Sequence, residues 1–140
     1  MKHRLLFLLA LPLAIACKQT PPPATENTPA AAPAHPGESL YLKYCMACHQ
    51  GDGSGVPGMY PPIQSTDWVQ GDKDRLIGLL LHGQQGEIVV NGKPFRGIMP
   101  SHSYLTDKEI ADVLTYVRSQ FGNQADSVTE AEVKQLRTKP

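Results

Sequence analysis

Five consecutive residues, Cys45-Met46-Ala47-Cys48-His49, carry the densest chemistry in the chain. Two thiols three positions apart lie about one helical turn from each other, and an imidazole follows directly. C-x-x-C-H is the spacing by which a porphyrin is held covalently: the thiols reach its two vinyl groups and the imidazole reaches its iron. Other uses of these residues fit less well. A structural zinc site needs four ligands, and the only further cysteine is Cys17. A thioredoxin-like redox pair belongs in a βαβ pattern, of which the sequence shows no sign. The expected cofactor is one covalent haem c, held by Cys45, Cys48 and His49.

The opposite face of the iron needs its own ligand. Met46 lies inside the attachment motif and cannot reach that face. Met59 follows His49 by only ten residues and reads as packing around the haem edge. Met99 lies 50 residues after His49, and Pro100 behind it stiffens the loop. His82 and His102 are the alternatives, and either would give a bis-histidine site.

Short helices must position these groups. Between Glu38 and His49 the apolar residues Leu40, Tyr41, Tyr44 and Cys45 recur at helical spacing. From His49 to Asp67 the chain is rich in Gly and Pro and reads as an irregular loop. Asp72 caps a helix carrying Leu76, Ile77 and Leu79 to Leu81, which stops at Gly83. Ile88-Val89-Val90 and Lys93-Pro94-Phe95 flank Asn91-Gly92 as a small hairpin, its second arm weakened by Pro94. Thr106 and Glu109 form a capping box, Leu105 is placed to staple onto Ile110, and Ile110, Val113, Leu114, Val117 and Phe121 line one face before Gly122-Asn123. Thr129 and Glu132 predict a last short helix on the surface. The fold class is mainly α: three to four helices and a small hairpin around one haem. With so much loop between residues 37 and 122 the protein core is thin, and the porphyrin supplies its centre.

The chain before residue 37 has a different character. Lys2, His3 and Arg4 precede an apolar run from Leu5 to Leu13, too short to span the ~30 Å hydrocarbon core of a bilayer. With Ala14-Ile15-Ala16 it reads as an export signal over residues 1–16. Leu13 to Cys17 resembles a bacterial lipoprotein box, which makes Cys17 the lipidation site; Ala14-Ile15-Ala16 also suits an ordinary cleavage that leaves Cys17 free. Residues 18–36 hold six Pro and five Ala and form an extended tether behind Cys17. The folded, haem-binding unit is expected over residues 37–123, with a C-terminal extension over 124–140.

This arrangement resembles the class I cytochromes c of the short bacterial monohaem type, on the residues CMACH, the Gly97-Ile98-Met99-Pro100 stretch and the two flanking helices. The segments GVPGMYPPIQSTDW (55–68) and NGKPFRGIMP (91–100) further resemble cytochrome domains attached to copper nitrite reductases and to sugar or alcohol dehydrogenases. The resemblance implies Met99 as the distal ligand and a Pro carbonyl, best matched by Pro61, that accepts from the ring of His49. It also suggests that Trp68 shields the haem or bonds a propionate, or else anchors the core. Arg96 pairs with a propionate or is a solvated surface charge.

With both axial positions filled, the expected chemistry is single-electron transfer between redox proteins on the periplasmic side of a membrane, with no catalytic residue and no small-molecule substrate. The alternatives are a cytochrome subunit of a larger dehydrogenase or nitrite reductase, and a haem enzyme or gas sensor with a displaceable sixth ligand. The 140-residue chain balances 13 basic against 13 acidic residues; without Lys2 and Arg4 the count is 11 against 13, a net −2. That excludes an electrostatic nucleic-acid binder and suits small, transient protein docking.

Overall fold

The computed structural model describes residues 35–139. The export signal, Cys17 and the tether as far as residue 34 lie outside them. The chain runs α1 (Pro36–Tyr44), α2 (Met46–His49), α3 (Asp67–Gln70), α4 (Lys73–His82), β1 (Ile88–Val90), β2 (Lys93–Phe95), α5 (Asp107–Ser119) and α6 (Glu130–Arg137).

Local signals explain most of the boundaries. Asp72 caps α4 by accepting from the Asp74 N–H at 2.9 Å, and Gly83, at φ +75°, turns the chain out of it. Thr106 and Glu109 close a reciprocal capping box on α5, as Thr129 and Glu132 do on α6. The hairpin pairs Ile88 with Phe95 and Val90 with Lys93. In that register Val90 and Phe95 point inward and are buried.

Three boundaries differ from expectation. The first helix starts earlier, at Pro36, where His35 accepts from the Gly37 N–H at 3.0 Å. It also breaks at Cys45, whose φ of −114° interrupts the spiral before the single turn α2. The helix α5 ends at Ser119, before Phe121. Phe121 sits at φ +56°, which folds its ring back to 4.9 Å from that of Tyr41. Behind it, Asn123 caps the exposed carbonyls, donating to Val117 O at 2.8 Å and Ile63 O at 2.9 Å.

The core forms where α1 crosses α5. Tyr41, Ile77 and Ile110 are fully buried there, beside Leu76, Val113 and Leu114. The crossing is close because Gly37 has no side chain: a Cβ there would lie 2.1 Å from the Asp112 carbonyl oxygen.

The compact unit does not end near residue 122, nor is α6 merely a surface helix. Val128 and Val133 are buried in the same cluster as α4 and α5, because Val128 exchanges two hydrogen bonds with the Thr115 hydroxyl. Ion pairs hold the outer face: Lys73 with Glu132 at 2.5 Å, and Arg137 with Asp107 at 2.6 Å. The guanidinium of Arg118 is buried and, among the described residues, has no acidic partner. It donates instead to the carbonyls of Val69, Gly71 and Asp126, tying the extension to α3.

Candidate functional site

The walls of α1, α4 and α5, the 53–63 loop and the hairpin enclose a deep cavity that opens to solvent. Cys45, Cys48, His49, Pro61, Trp68 and Met99 all line it, so six residues spread over 55 positions of sequence converge on one space. Its remaining walls are mostly apolar, with Leu76, Leu79, Leu80, Val90, Phe95, Val113 and Leu114 among them.

Cys45 is the N-cap of α2 and Cys48 lies within it, and neither is in a disulfide. The turn is held by the His49 and Cys48 N–H groups, which donate to Cys45 O at 2.9 and 3.2 Å. Tyr41 braces the exit of the turn, its hydroxyl donating to Gln50 O at 2.6 Å. Burial pushes the Cys45 thiol up to about 11.

His49 Nδ1 lies 3.0 Å from the carbonyl oxygen of Pro61. A carbonyl can only accept, so Nδ1 carries the proton and Nε2 keeps its lone pair for a metal. Burial holds the imidazole pKa below its ordinary value, which favours this neutral, ligating form; the bond to Pro61 acts in the opposite sense and is outweighed. Pro61 is placed by a folded loop rather than by a regular element. Gly55 N–H donates back to His49 O at 3.0 Å, and Val56 bridges Tyr60 at 2.9 Å. Gly55 stands at φ +66°, and a Cβ on it would lie 2.6 Å from Pro61 O. That close approach has no local signature beyond the glycine itself, and the sequence reading missed it.

Met99 is half-buried and anchored by its backbone, which exchanges two hydrogen bonds with Gln84 at 2.8 and 3.0 Å. The following residues continue the strap: Ser101 Oγ donates to Leu81 O at 2.6 Å and His102 N–H to Leu80 O at 2.7 Å. Of the two histidine alternatives, His82 is exposed at the end of α4 and lines no part of the cavity, whereas His102 is buried and does. Met59 also lines the cavity but is 53% exposed at its mouth.

For two residues the structure selects among the readings left open. The Trp68 indole N–H donates to Val89 O at 2.7 Å, across to the hairpin, so it is not free for a propionate. Its ring remains a cavity wall, with the Arg75 guanidinium 4.3 Å from the ring centroid on its other side. Arg96 is exposed, pairs with Glu87 and does not line the cavity.

The cytochrome c family model matches residues 34–121. Cytochrome c-552 of Thermus thermophilus is 37% identical over 112 residues, covering 74% of this chain and 85% of that protein. The cytochrome c subunit of a quinone alcohol dehydrogenase from Gluconacetobacter polyoxogenes is 37% identical, covering 73% of this chain but 22% of the relative. The fructose dehydrogenase cytochrome subunit of Gluconobacter japonicus is 36% identical over a similar share.

These matches imply covalently bound haem c, and the residues present fit it. Two thiols stand at the attachment spacing on one rim, a correctly polarised imidazole faces the interior, and the walls suit a flat apolar macrocycle. Among the described residues no three His, Cys, Asp or Glu gather to hold a bare ion.

Proposed function

The chain belongs to the cytochrome c family and is an electron-transfer haem protein; on that premise we propose that it carries single electrons between redox proteins with His49 and Met99 as the two axial ligands. The observation that carries this reading is the His49–Pro61 contact facing a cavity that Met99 also lines. When bound, the haem supplies the one-electron couple. The chain's residues do the rest. Cys45 and Cys48 hold the macrocycle, His49 presents Nε2, Met99 closes the remaining position, and the apolar walls exclude water. A thioether ligand and a dry site both favour the ferrous state, which sets a high potential.

The test is optical. The ferric protein is expected to show the sulfur-to-iron charge-transfer band of Met ligation, and the ferrous protein to bind carbon monoxide poorly. Absence of that band together with rapid carbon monoxide binding would overturn the assignment and favour a sensor or haem enzyme.

A second reading, a cytochrome subunit serving a dehydrogenase, is supported by the names of the alcohol, gluconate and fructose dehydrogenase relatives. Co-purification with a catalytic subunit supports it, and a solitary monomer that reduces and oxidises soluble partners counts against it. For location we propose attachment through a lipidated Cys17 on the periplasmic face of a membrane, on the strength of the Leu13–Cys17 run. Among the described residues no helix is long and apolar enough to cross a membrane. A Cys17→Ser variant is expected to move from the membrane to the soluble fraction.

A further inference from the structure

The strap that carries Met99 also carries a second side chain able to bind iron. His102 is 8% exposed, and it lines the same cavity as His49 and Met99. Its backbone is fully used: the N–H donates to Leu80 O at 2.7 Å and the C=O accepts from the Leu105 N–H at 3.0 Å. Its ring is not. Among the described residues Nδ1 is buried with no hydrogen-bond partner, a state that ordinarily destabilises a fold. The neighbouring rings give only packing, Tyr44 edge-on at 6.5 Å and Tyr104 at 5.8 Å between centroids. A structural histidine in such a place would be expected to hold a carbonyl or a hydroxyl. This one faces the interior, near enough to His49 that its charge disfavours protonation of that ring.

We propose that His102 is a reserve sixth ligand: whenever the Met99 thioether is off the iron, the His102 imidazole takes the vacated position. The inference rests on Met99 being the resting ligand. The strap makes the exchange short. Gln84, Leu81 and Leu80 hold residues 99, 101 and 102 at successive points, so losing the thioether leaves the backbone anchored and His102 beside the cavity. Met99 and His102 also adjoin each other directly, bounding one small void with Tyr44 and Cys45. The exchange balances simply. A thioether lone pair leaves and the lone pair of a neutral imidazole enters, no electron is gained or lost, and a charged imidazole first gives its proton to solvent. The functional consequence is that the iron stays six-coordinate and closed to small ligands, at a lower potential, when Met99 is lost.

The experiment compares the haem-loaded wild type with Met99→Ala, His102→Phe and the double variant, by optical and electron paramagnetic resonance spectra and by carbon monoxide binding. Wild type and His102→Phe are expected to share the sulfur charge-transfer band. Met99→Ala should lose that band yet remain low-spin with a bis-imidazole signature, and should bind carbon monoxide at least about 10-fold more slowly than the double variant, which becomes high-spin. A Met99→Ala protein that is high-spin and binds carbon monoxide as fast as the double variant overturns the proposal. Should the double variant not assemble, free imidazole added to ferric Met99→Ala decides the matter. No spectral change means His102 already occupies the iron, and conversion from high to low spin means it does not. If wild type lacks the sulfur band and His102→Phe turns it high-spin, His102 is the resting ligand. That result overturns both the reserve role and the assignment of Met99, and it is distinct from every other outcome.

Discussion

Replacing Gly55 with alanine should damage the site through a carbonyl that lies six residues away. Gly55 sits at φ +66°, where an L side chain crowds its own backbone; that conformation costs about 1–2 kcal/mol. The new methyl would stand 2.5 Å from Tyr60 O and 2.6 Å from Pro61 O, against an ordinary contact of 3.4 Å or more. Relief requires a movement of about 0.8–0.9 Å, and overpacking of this kind costs about 1–3 kcal/mol. Pro61 O now accepts from His49 Nδ1 at 3.0 Å. A shift of that size stretches or bends the bond beyond the useful range, losing about 0.5–1.5 kcal/mol more. Together these give a destabilisation of about 3–5 kcal/mol, which for a domain near 100 residues lowers Tm by at least about 10 °C.

The same shift has an electronic signature. Donation from Nδ1–H to a carbonyl makes the imidazole a better electron donor and favours ferric iron. Losing it raises the potential; if the two oxidation states differ by about 1 kcal/mol in that bond, the rise is about 40 mV for a one-electron couple. Gly58→Ala is the control, because Gly58 also has a left-handed φ of +74° but a Cβ there meets nothing within 4 Å. It should show the backbone cost alone, with an unchanged potential. Thermal melts and potentiometric titration of the two variants read both effects. Equal Tm losses and equal potentials would refute the link from Gly55 through Pro61 to His49.

The remaining expectations concern the frame around the site. Gly37→Ala should cost about 3 kcal/mol, since its Cβ would lie 2.1 Å from Asp112 O and 2.7 Å from Tyr116 Cβ where α1 crosses α5. Gly78→Ala, in the middle of α4 with open space beside it, should instead stabilise by about 0.5–1 kcal/mol in the same melts. Val133→Ala removes two buried methyl groups' worth of contact and should cost about 1.5–3 kcal/mol in denaturant titrations, with the haem spectrum unchanged. Lys73 beside Glu132, with the Thr129 cap, holds the Glu132 carboxyl down to about 2 from an unfolded value of 4.5. A lowered folded pKa stabilises above the unfolded value, so this contribution is complete above about pH 4.5 and fades as pH falls toward 2. Glu132 is largely solvated, so the effect is modest. Urea midpoints of wild type and Lys73→Ala should converge across that acid window, and parallel curves would refute the pairing.

What the sequence disclosed divides by the range of the interaction. The capping pairs Thr106–Glu109 and Thr129–Glu132, the Asp72 cap and the Asn91-Gly92 turn are each complete within five residues, so their chemistry was legible and the structure contains every one of them. CMACH is local in the same sense. The larger misreadings involve partners far apart in the chain. Val133 and Leu136 on an otherwise polar helix give little warning that Val133 is fully buried; what buries it is the Thr115 hydroxyl 13 residues before Val128 and the ion pair from Lys73. The indole N–H of Trp68 is claimed by Val89, 21 residues on, because α3 happens to abut the hairpin. The opposite wall of the cavity follows the same rule. Counting residues after His49 made Met99, His82 and His102 all candidates, since distance along the chain constrains little once a loop is long enough. The discriminating feature is the run of hydrogen bonds from Leu80, Leu81 and Gln84 to His102, Ser101 and Met99. It lays residues 99–102 against the end of α4, which brings Met99 and His102 to the cavity, while His82 in that same helix end stays exposed. Which side chain can face the iron is therefore decided by a strap of backbone and hydroxyl bonds whose partners lie some 15–22 residues apart, and no pattern of residue types within a single window encodes it.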